Sequence, residues 1–113
     1  MVARNKLLSA PPYAVEQALK RLGANLRTAR VRRRLTVEEV AHKIGTGVRA
    51  ISDAEKGKPS TNIAVYTALL WTYGLMTDFE SLADPTHDRE GQTLSLARER
   101  TRARRSGALN NDF

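Results

Sequence analysis

The stretch from residue 36 to residue 56, TVEEVAHKIGTGVRAISDAEK, decides the fold of this chain. Thr36, followed three residues later by Glu39, is typical of a capping box, in which the two side chains satisfy free amides at the start of a helix. Apolar residues then recur at helical spacing, at Val37, Val40, Ala41 and Ile44. Gly45 tolerates the positive φ that commonly ends a helix. These signals predict a short helix over residues 37–44.

A second short helix is predicted from about Val48 to Lys56, with Ile51 and Ala54 facing inward. The two helices are separated by Gly45-Thr46-Gly47, a three-residue turn. Two short helices joined by such a turn make a helix-turn-helix, which needs a small residue at the crossing, here Ala41. The second helix of this motif presents an exposed face that can enter the major groove of DNA.

Outward from this stretch, the remaining elements are also helical. An apolar stripe runs from Val15, after Pro11-Pro12, to near Arg33, and Gly23 inside it costs about 1 kcal/mol relative to alanine. A further helix is predicted from the polar residues after Pro59 to Tyr73. A second capping box, Thr77 with Glu80, predicts a last helix, with Phe79, Leu82 and Ala83 as its apolar residues and Asp84-Pro85 at its end.

The sequence contains no alternating pattern typical of strands, so the predicted fold is all-α with five short helices. We divide the chain into an N-terminal arm at 1–12, one helix-turn-helix domain at 13–85, and a charged tail at 86–113. We expect the arm to be flexible and the tail to be disordered or only partly helical. A length of 113 residues leaves room for one such domain.

The charge is unevenly distributed along the chain. The total is +7, but residues 1–34 hold nine cations and one anion, whereas residues 35–85 hold four cations and seven anions. Residues 86–113 hold six cations and four anions, with five arginines between Arg98 and Arg105. A basic excess makes nucleic acid, an acidic protein or an anionic membrane surface the leading classes of partner.

Several function classes lack the residues they need. The chain has no cysteine, which excludes thiolate metal sites and cysteine nucleophiles, and its two histidines, His42 and His87, have no neighbours that suggest a catalytic triad or a metal site. We therefore expect no enzyme activity, no metal and no cofactor. No apolar run suits a signal peptide or a membrane span, so we expect a cytoplasmic protein with no membrane partner.

The run from Leu22 to Ala83 resembles the Cro/C1-repressor family of helix-turn-helix domains, also called the Xre family or lambda-repressor-like. The resemblance rests on the Ala41 and Gly45 spacing, on Ile51, and on the Glu55-Lys56-Gly57 ending. It implies a repressor that binds a palindromic operator in double-stranded DNA as a homodimer, in a bacterial cytoplasm and on the nucleoid when bound.

The resemblance also implies site residues. The base-reading residues would be Thr46, Gly47, Val48, Arg49, Ser52 and Asp53, with Arg49 suited to a bidentate contact with guanine. Phosphate contacts would come from Thr36, Lys56, Lys58, Ser60 and Thr61. Arg30 and Glu55 match a structural pair that joins the first and third helices of this family.

The sequence departs from the family pattern at three of these positions. Val37 stands where glutamine is usual, and Gly47 and Asp53 stand where cations or hydroxyls are common. The stretch 46–57 carries no net charge. An interaction module that has lost DNA binding is therefore an alternative, as is a stand-alone phage- or plasmid-type regulator.

A second resemblance covers residues 56–91, KGKPSTNIAVYTALLWTYGLMTDFESLADPTHDREG. This stretch is similar to HipB-like antitoxins, which repress their own operon and neutralise a HipA-like serine/threonine kinase toxin. It implies that the chain is an antitoxin with such a kinase as its second partner, docked through the fifth predicted helix or the tail.

Two surfaces keep alternative interpretations. The fourth predicted helix is apolar nearly all round, so it forms either a dimer or partner interface at Val65, Ala68, Trp71 and Leu75, or part of a core roomy enough to absorb Trp71. The basic tail RERTRARR, which begins at Arg98, contacts DNA phosphates or a minor groove, docks on an acidic partner, or is simply solvated.

Overall fold

A computed structural model describes residues 5–111, with side-chain environments up to residue 107. In this part of the chain there are seven α-helices and no strand, and the predicted all-α fold is confirmed. In chain order they are α1 (Lys6–Ser9), α2 (Tyr13–Arg32), α3 (Val37–Ile44), α4 (Val48–Glu55), α5 (Ile63–Thr72), α6 (Met76–Glu80) and α7 (Arg89–Asn111). The chain divides into two compact units, Met1–Phe79 and Glu80–Phe113.

Five of the seven helices correspond to the predicted ones. The other two lie in the predicted arm and tail: α1 is a single turn capped by Asn5, whose side chain accepts a hydrogen bond from the Leu7 amide at 3.0 Å. Helix α7 spans 23 residues without a break, although we expected a tail that was disordered or only partly helical. In the described residues, no helix is both long and apolar enough to cross a membrane.

The core of the first unit lies where α2, α3, α4 and α5 meet. Leu26, Ile51, Leu69 and Val40 are the largest fully buried side chains, and each comes from a different helix. Tyr66 and Tyr73 close the core on the α5 side. The predicted stripe of α2 is only partly correct, because Val15 and Ala18 in its first turns are exposed, whereas Leu26 and Ala29 are buried.

Gly23 has a packing role that the propensity argument did not reveal. A Cβ atom at this position would lie 2.6 Å from the carbonyl oxygens of both Ala54 and Glu55, and 2.7 Å from the amide nitrogen of Gly57. The backbone of α2 therefore approaches the end of α4 more closely than any side chain permits. Glycine at this position costs helix propensity, but its missing side chain allows the close contact that fixes α4 against α2.

The last predicted helix of the domain is wrong at both ends. Helix α5 ends in a Schellman motif, with Gly74 at φ +71° and the Leu75 amide bonded to the Leu70 carbonyl at 2.8 Å. Helix α6 then begins at Met76, so Thr77 lies inside the helix instead of capping it.

Helix α6 also ends before the predicted residues. It stops at Glu80, so Leu82, which is exposed, and Ala83, at φ +59°, lie beyond it. Asp84 forms a local turn in which its carboxylate accepts hydrogen bonds from the amide and hydroxyl of Thr86 at 2.9 and 2.7 Å. Ala83, with its positive φ, and Asp84, which directly precedes Pro85, both disfavour helical geometry, so the helix does not reach the predicted end.

Candidate nucleic-acid interface

The α3–turn–α4 segment is held by local hydrogen bonds that the sequence signals predicted. The Thr36 hydroxyl accepts from the Glu39 amide at 3.1 Å, and the Glu39 carboxylate accepts from the Thr36 amide at 3.2 Å. The predicted capping box is therefore confirmed. At the other end of α3, Gly45 adopts φ +83°, and the amides of Gly45 and Thr46 both donate to the Ala41 carbonyl, at 2.9 and 3.0 Å. These contacts fix the angle at which α4 leaves the turn.

Helix α4 buries one side and exposes the other. Ile51 and Ala54 are fully buried. Because residues in a helix are spaced about 100° apart, the side opposite these two carries Val48, Arg49, Ser52, Asp53 and Lys56. Val48, Arg49 and Lys56 are exposed, and Ser52 and Asp53 are half-buried. The structure thus brings the expected base-reading side chains of α4 together on one outward face.

The first turn of α4 is open to a ligand. Gly47 is the N-cap, and it has no side chain to accept hydrogen bonds from the amides at the start of the helix. No acidic residue lies in this first turn. Thr46, directly before the cap, is half-buried, whereas Gly47 is exposed. Free amides and the positive end of the helix dipole favour an anion at this end.

Two of the predicted contact residues form an ion pair with each other. The Lys58 ammonium lies 3.0 Å from the Asp53 carboxylate, and the two side chains are 43 and 24% exposed. The family resemblance implies base reading for Asp53 and phosphate binding for Lys58. Their pairing offsets the negative charge of Asp53 on the outward face. Asp53 therefore opposes DNA binding through Arg49 less than the sequence suggests.

The remaining phosphate-binding candidates lie after α4. Lys56 is exposed at the C-cap of α4, and Ser60 is exposed in the following turn. Thr61 is half-buried, and its amide donates to the Lys58 carbonyl at 3.1 Å, so this amide is already used within the chain. Asn62, one residue later, caps α5 by accepting from the Ala64 amide at 2.8 Å. Helix α5 therefore starts at Ile63, later than the polar residues after Pro59 suggested.

Arg30 and Glu55 lie together beneath this face. The guanidinium donates to both carboxylate oxygens, at 2.7 and 3.0 Å, and also to the Leu35 carbonyl at 2.9 Å. The side chains are only 12 and 8% exposed. The hydrogen bonds that it donates to Glu55 raise the pKa of the Arg30 guanidinium, which therefore stays charged. The pair joins α2, α4 and the turn before α3.

Sequence reasoning missed the role of Arg33, which it used only to mark the end of a helix and counted among the cations of residues 1–34. The Arg33 guanidinium donates to the Tyr73 carbonyl and to the Ala29 carbonyl, both at 2.9 Å, and lies 5.3 Å from the centre of the Tyr73 ring. This cation–π and hydrogen-bonded contact ties the end of α2 to the end of α5. No local pattern marks residues 33 and 73 as partners, since they are 40 positions apart.

The outer face of α5 is apolar and open in the first unit. Trp71 is 66% exposed, Leu75 is 41% exposed, and Val65 and Ala68 are half-buried. The alternative in which a roomy core absorbs Trp71 is therefore wrong. His42 and His87 are both exposed, and residues 5–111 contain no cluster of three or more acidic or histidine side chains suited to a metal ion.

Comparison with known proteins agrees with this geometry. No curated protein and no solved structure is significantly similar to the chain. A family model described as a helix-turn-helix domain matches residues 21–82, which is more than half of the chain and nearly the range from Leu22 to Ala83 on which the resemblance rested. The matched region contains the capping box, the Gly45 turn and the outward face of α4. The chain therefore belongs to the helix-turn-helix domain family, of the Xre/Cro-like kind, and is a DNA-binding regulator.

Proposed function

We propose that the protein is a sequence-specific transcriptional repressor that reads DNA bases with the outward face of α4. The observation that carries this proposal is the exposed Arg49 in the first turn of α4, next to an N-cap with no side chain. Arginine at such a position can donate two hydrogen bonds to the O6 and N7 atoms of guanine. The other proposed base-contact residues share this face or the turn before it: Thr46, Gly47, Val48, Ser52 and Asp53.

Phosphate contacts on both sides of α4 would set its register in the groove. Thr36 and Ser60 offer exposed hydroxyls, and Lys56 offers an exposed ammonium. Lys58 would reach a phosphate only by leaving Asp53, so its contribution to affinity is smaller than that of Lys56. Thr61 contributes least, because its amide is bonded to the Lys58 carbonyl and its hydroxyl oxygen is buried.

The base-reading proposal can be tested by selecting bound sequences from a pool of randomised DNA duplexes. Arg49→Ala is expected to lower affinity for the selected sequence by about 5- to 150-fold, because one bidentate contact contributes about 1–3 kcal/mol. Its affinity for unrelated DNA should change little. Arg21→Ala, which removes an exposed cation from α2, is the control for lost charge. An Arg49→Ala protein that selects the wild-type sequence with unchanged affinity contradicts the proposal.

The protein is further proposed to bind its operator as a two-fold dimer through the outer face of α5. Large exposed apolar side chains, Trp71 and Leu75, support this role, with Ala68 and Val65 beside them. The chain has no charged residue from position 59 to position 77, so two copies of this face meet without like-charge repulsion. Dimers of such domains contact two half-sites one helical turn apart, which explains palindromic operators.

Sedimentation equilibrium tests the dimer directly. Wild-type protein is expected to show twice the monomer mass, and Trp71→Glu the monomer mass, with the helix content of both unchanged because Trp71 lies outside the core. Trp71 is the single tryptophan of the chain, so its fluorescence should shift to shorter wavelength as the dimer forms. Wild-type protein that remains monomeric at all concentrations, with no shift, rules the interface out.

The finer proposal is that the repressor is a HipB-like antitoxin that also neutralises a HipA-like serine/threonine kinase in a bacterial cytoplasm. It is supported by the similarity of residues 56–91 to such antitoxins. Purification of the tagged chain together with the products of its own operon tests this idea. A kinase in stable complex is the expected result, and a chain that purifies alone favours the stand-alone regulator.

A further inference from the structure

Helix α7 carries the strongest concentration of positive charge in the chain. Five arginines lie between residues 98 and 105, and Glu99 is the only acid among them. They belong to a continuous helix, and every side chain described from residue 92 to residue 107 is exposed. Within the described residues, none of these arginines forms an ion pair. Within that part of the chain, their charge is therefore not neutralised by an acidic side chain.

The arginines form two rows on the helix. At about 100° per residue, three of them fall within about 60° of arc and the other two within about 40°, with the row centres about 150° apart. The first row is Arg98, Arg102 and Arg105, and the second is Arg100 and Arg104. The narrower strip between the rows contains Ala97 and Thr101. Both side chains are small. The Thr101 hydroxyl donates to the Ala97 carbonyl at 3.0 Å, so the hydrogen-bond donor of this strip is already used.

We propose that α7 is a second DNA-binding element, which lies in the major groove and contacts the phosphates on both walls through its two arginine rows. The major groove is about 12 Å wide and admits one α-helix. The strip of small residues lets the helix approach the floor of the groove, while long arginine side chains on either flank reach outward. Because the strip offers no free donor, the contact adds affinity without reading sequence.

The distribution of charge favours DNA over other anionic partners. A flat acidic protein surface would engage one row and leave the other in solvent. An interfacial membrane helix needs a broad apolar face opposite its charges, and between residues 98 and 105 α7 has charge on both flanks and no large apolar side chain. A groove with phosphates on two sides is the surface that uses both rows at once.

This inference rests on the proposed DNA-binding function, and it can be tested separately from base reading. The probe is a 30-base-pair duplex of mixed sequence, and binding of the full chain is followed by fluorescence anisotropy between 50 and 200 mM salt. One variant replaces the first row with glutamine (Arg98→Gln, Arg102→Gln, Arg105→Gln), and another replaces the second row (Arg100→Gln, Arg104→Gln). Glutamine keeps a high helix propensity, and circular dichroism verifies that α7 is retained.

Each lost phosphate contact makes the slope of log K against log salt shallower by about 0.9. Between 50 and 200 mM salt, the affinity of the first-row variant should therefore fall about 40-fold less than that of the wild type, and the affinity of the second-row variant about 12-fold less. Lysine at all five positions preserves the charge and should preserve most of the slope. An unchanged slope for either row overturns the inference. If only one of the two row variants shows a shallower slope, the contact is one-sided, as it would be on a flat acidic protein surface, and the inference also fails.

Arg49→Ala separates failure of this inference from failure of the proposed function. If the α7 variants keep the wild-type slope while Arg49→Ala loses the selected sequence, α7 is not a DNA contact and base reading by α4 stands. If the wild-type chain does not bind the mixed duplex even at 50 mM salt, both proposals fail.

Discussion

The buried ion pair between Arg30 and Glu55 gives the sharpest quantitative prediction, and Glu55→Ala is the perturbation. The Arg30 guanidinium is nearly enclosed, and of its three hydrogen bonds only the one to the Leu35 carbonyl remains in this variant. Removing one partner of a buried pair costs about 3–5 kcal/mol, because the remaining charge stays out of water. With a urea dependence of about 2 kcal/mol per molar, a loss of about 4 kcal/mol lowers the unfolding midpoint by about 2 M.

The assay is urea denaturation followed by circular dichroism, arranged as a double-mutant cycle with Arg30→Ala. The two single changes should together cost more than the double change, since the double variant leaves no uncompensated charge. Glu16 and Lys20 provide a matched control, because their atoms lie 2.8 Å apart but their side chains are 40 and 55% exposed. Glu16→Ala should leave the midpoint nearly unchanged, because water and salt screen an exposed pair.

Two results would refute this reasoning. A loss below about 1 kcal/mol for Glu55→Ala would mean that the pair is no more stabilising than an exposed one. Additive single changes would mean that Arg30 and Glu55 act independently. DNA binding gives a further readout, because a folded double variant that loses its sequence preference would make Arg30 a DNA contact instead of a structural residue.

Three further predictions concern packing and titration. Gly23→Ala should destabilise the domain by about 1–3 kcal/mol in urea denaturation despite the better helix propensity of alanine, because the added Cβ meets the backbone of α4; Gly107→Ala, with nothing within 4 Å, should not destabilise. Tyr73→Phe should leave the midpoint unchanged or raise it, because the Tyr73 hydroxyl is buried and makes no hydrogen bond. Burial raises the pKa of Tyr66, so stability should fall as the pH rises above about 10, the ordinary tyrosine pKa, and a pH titration of the melting temperature should show a smaller fall for Tyr66→Phe.

Local chemistry made the helix-turn-helix predictable. The capping box at Thr36 and the positive φ of Gly45 depend only on residues within a few positions, so their signals are complete in the sequence. The same locality misled at Thr77, where a second threonine–glutamate spacing has the right pattern. There the Schellman motif around Gly74 ends α5 so sharply that α6 starts at Met76, two residues too early for Thr77 to cap it.

Long-range partners could not be predicted in the same way. Gly23 looked like a cost to α2, and only the path of α4 shows what the missing side chain allows. The helical spacing of Trp71 is compatible with either the core or the surface. Every side of α5 is apolar, so the spacing does not indicate which side is buried. Its exposure depends on which face Tyr66 and Leu69 bury, and that is decided by the other helices.

Not all of the positive charge of the chain is available to attract DNA, because some of its cations contact other groups of the protein. Of the nine cations in residues 1–34, Lys20 is paired with Glu16, Arg30 with Glu55, and Arg33 is bonded to backbone carbonyls and to Tyr73. These three already contact groups of the first unit, so they add less to the attraction of DNA than their number suggests. Among the residues that the structure describes, the arginines of α7 have no such partners, and Arg49 is likewise exposed. Selection by α4 and attraction by the unpaired cations are therefore separate contributions to binding, and salt acts mainly on the second.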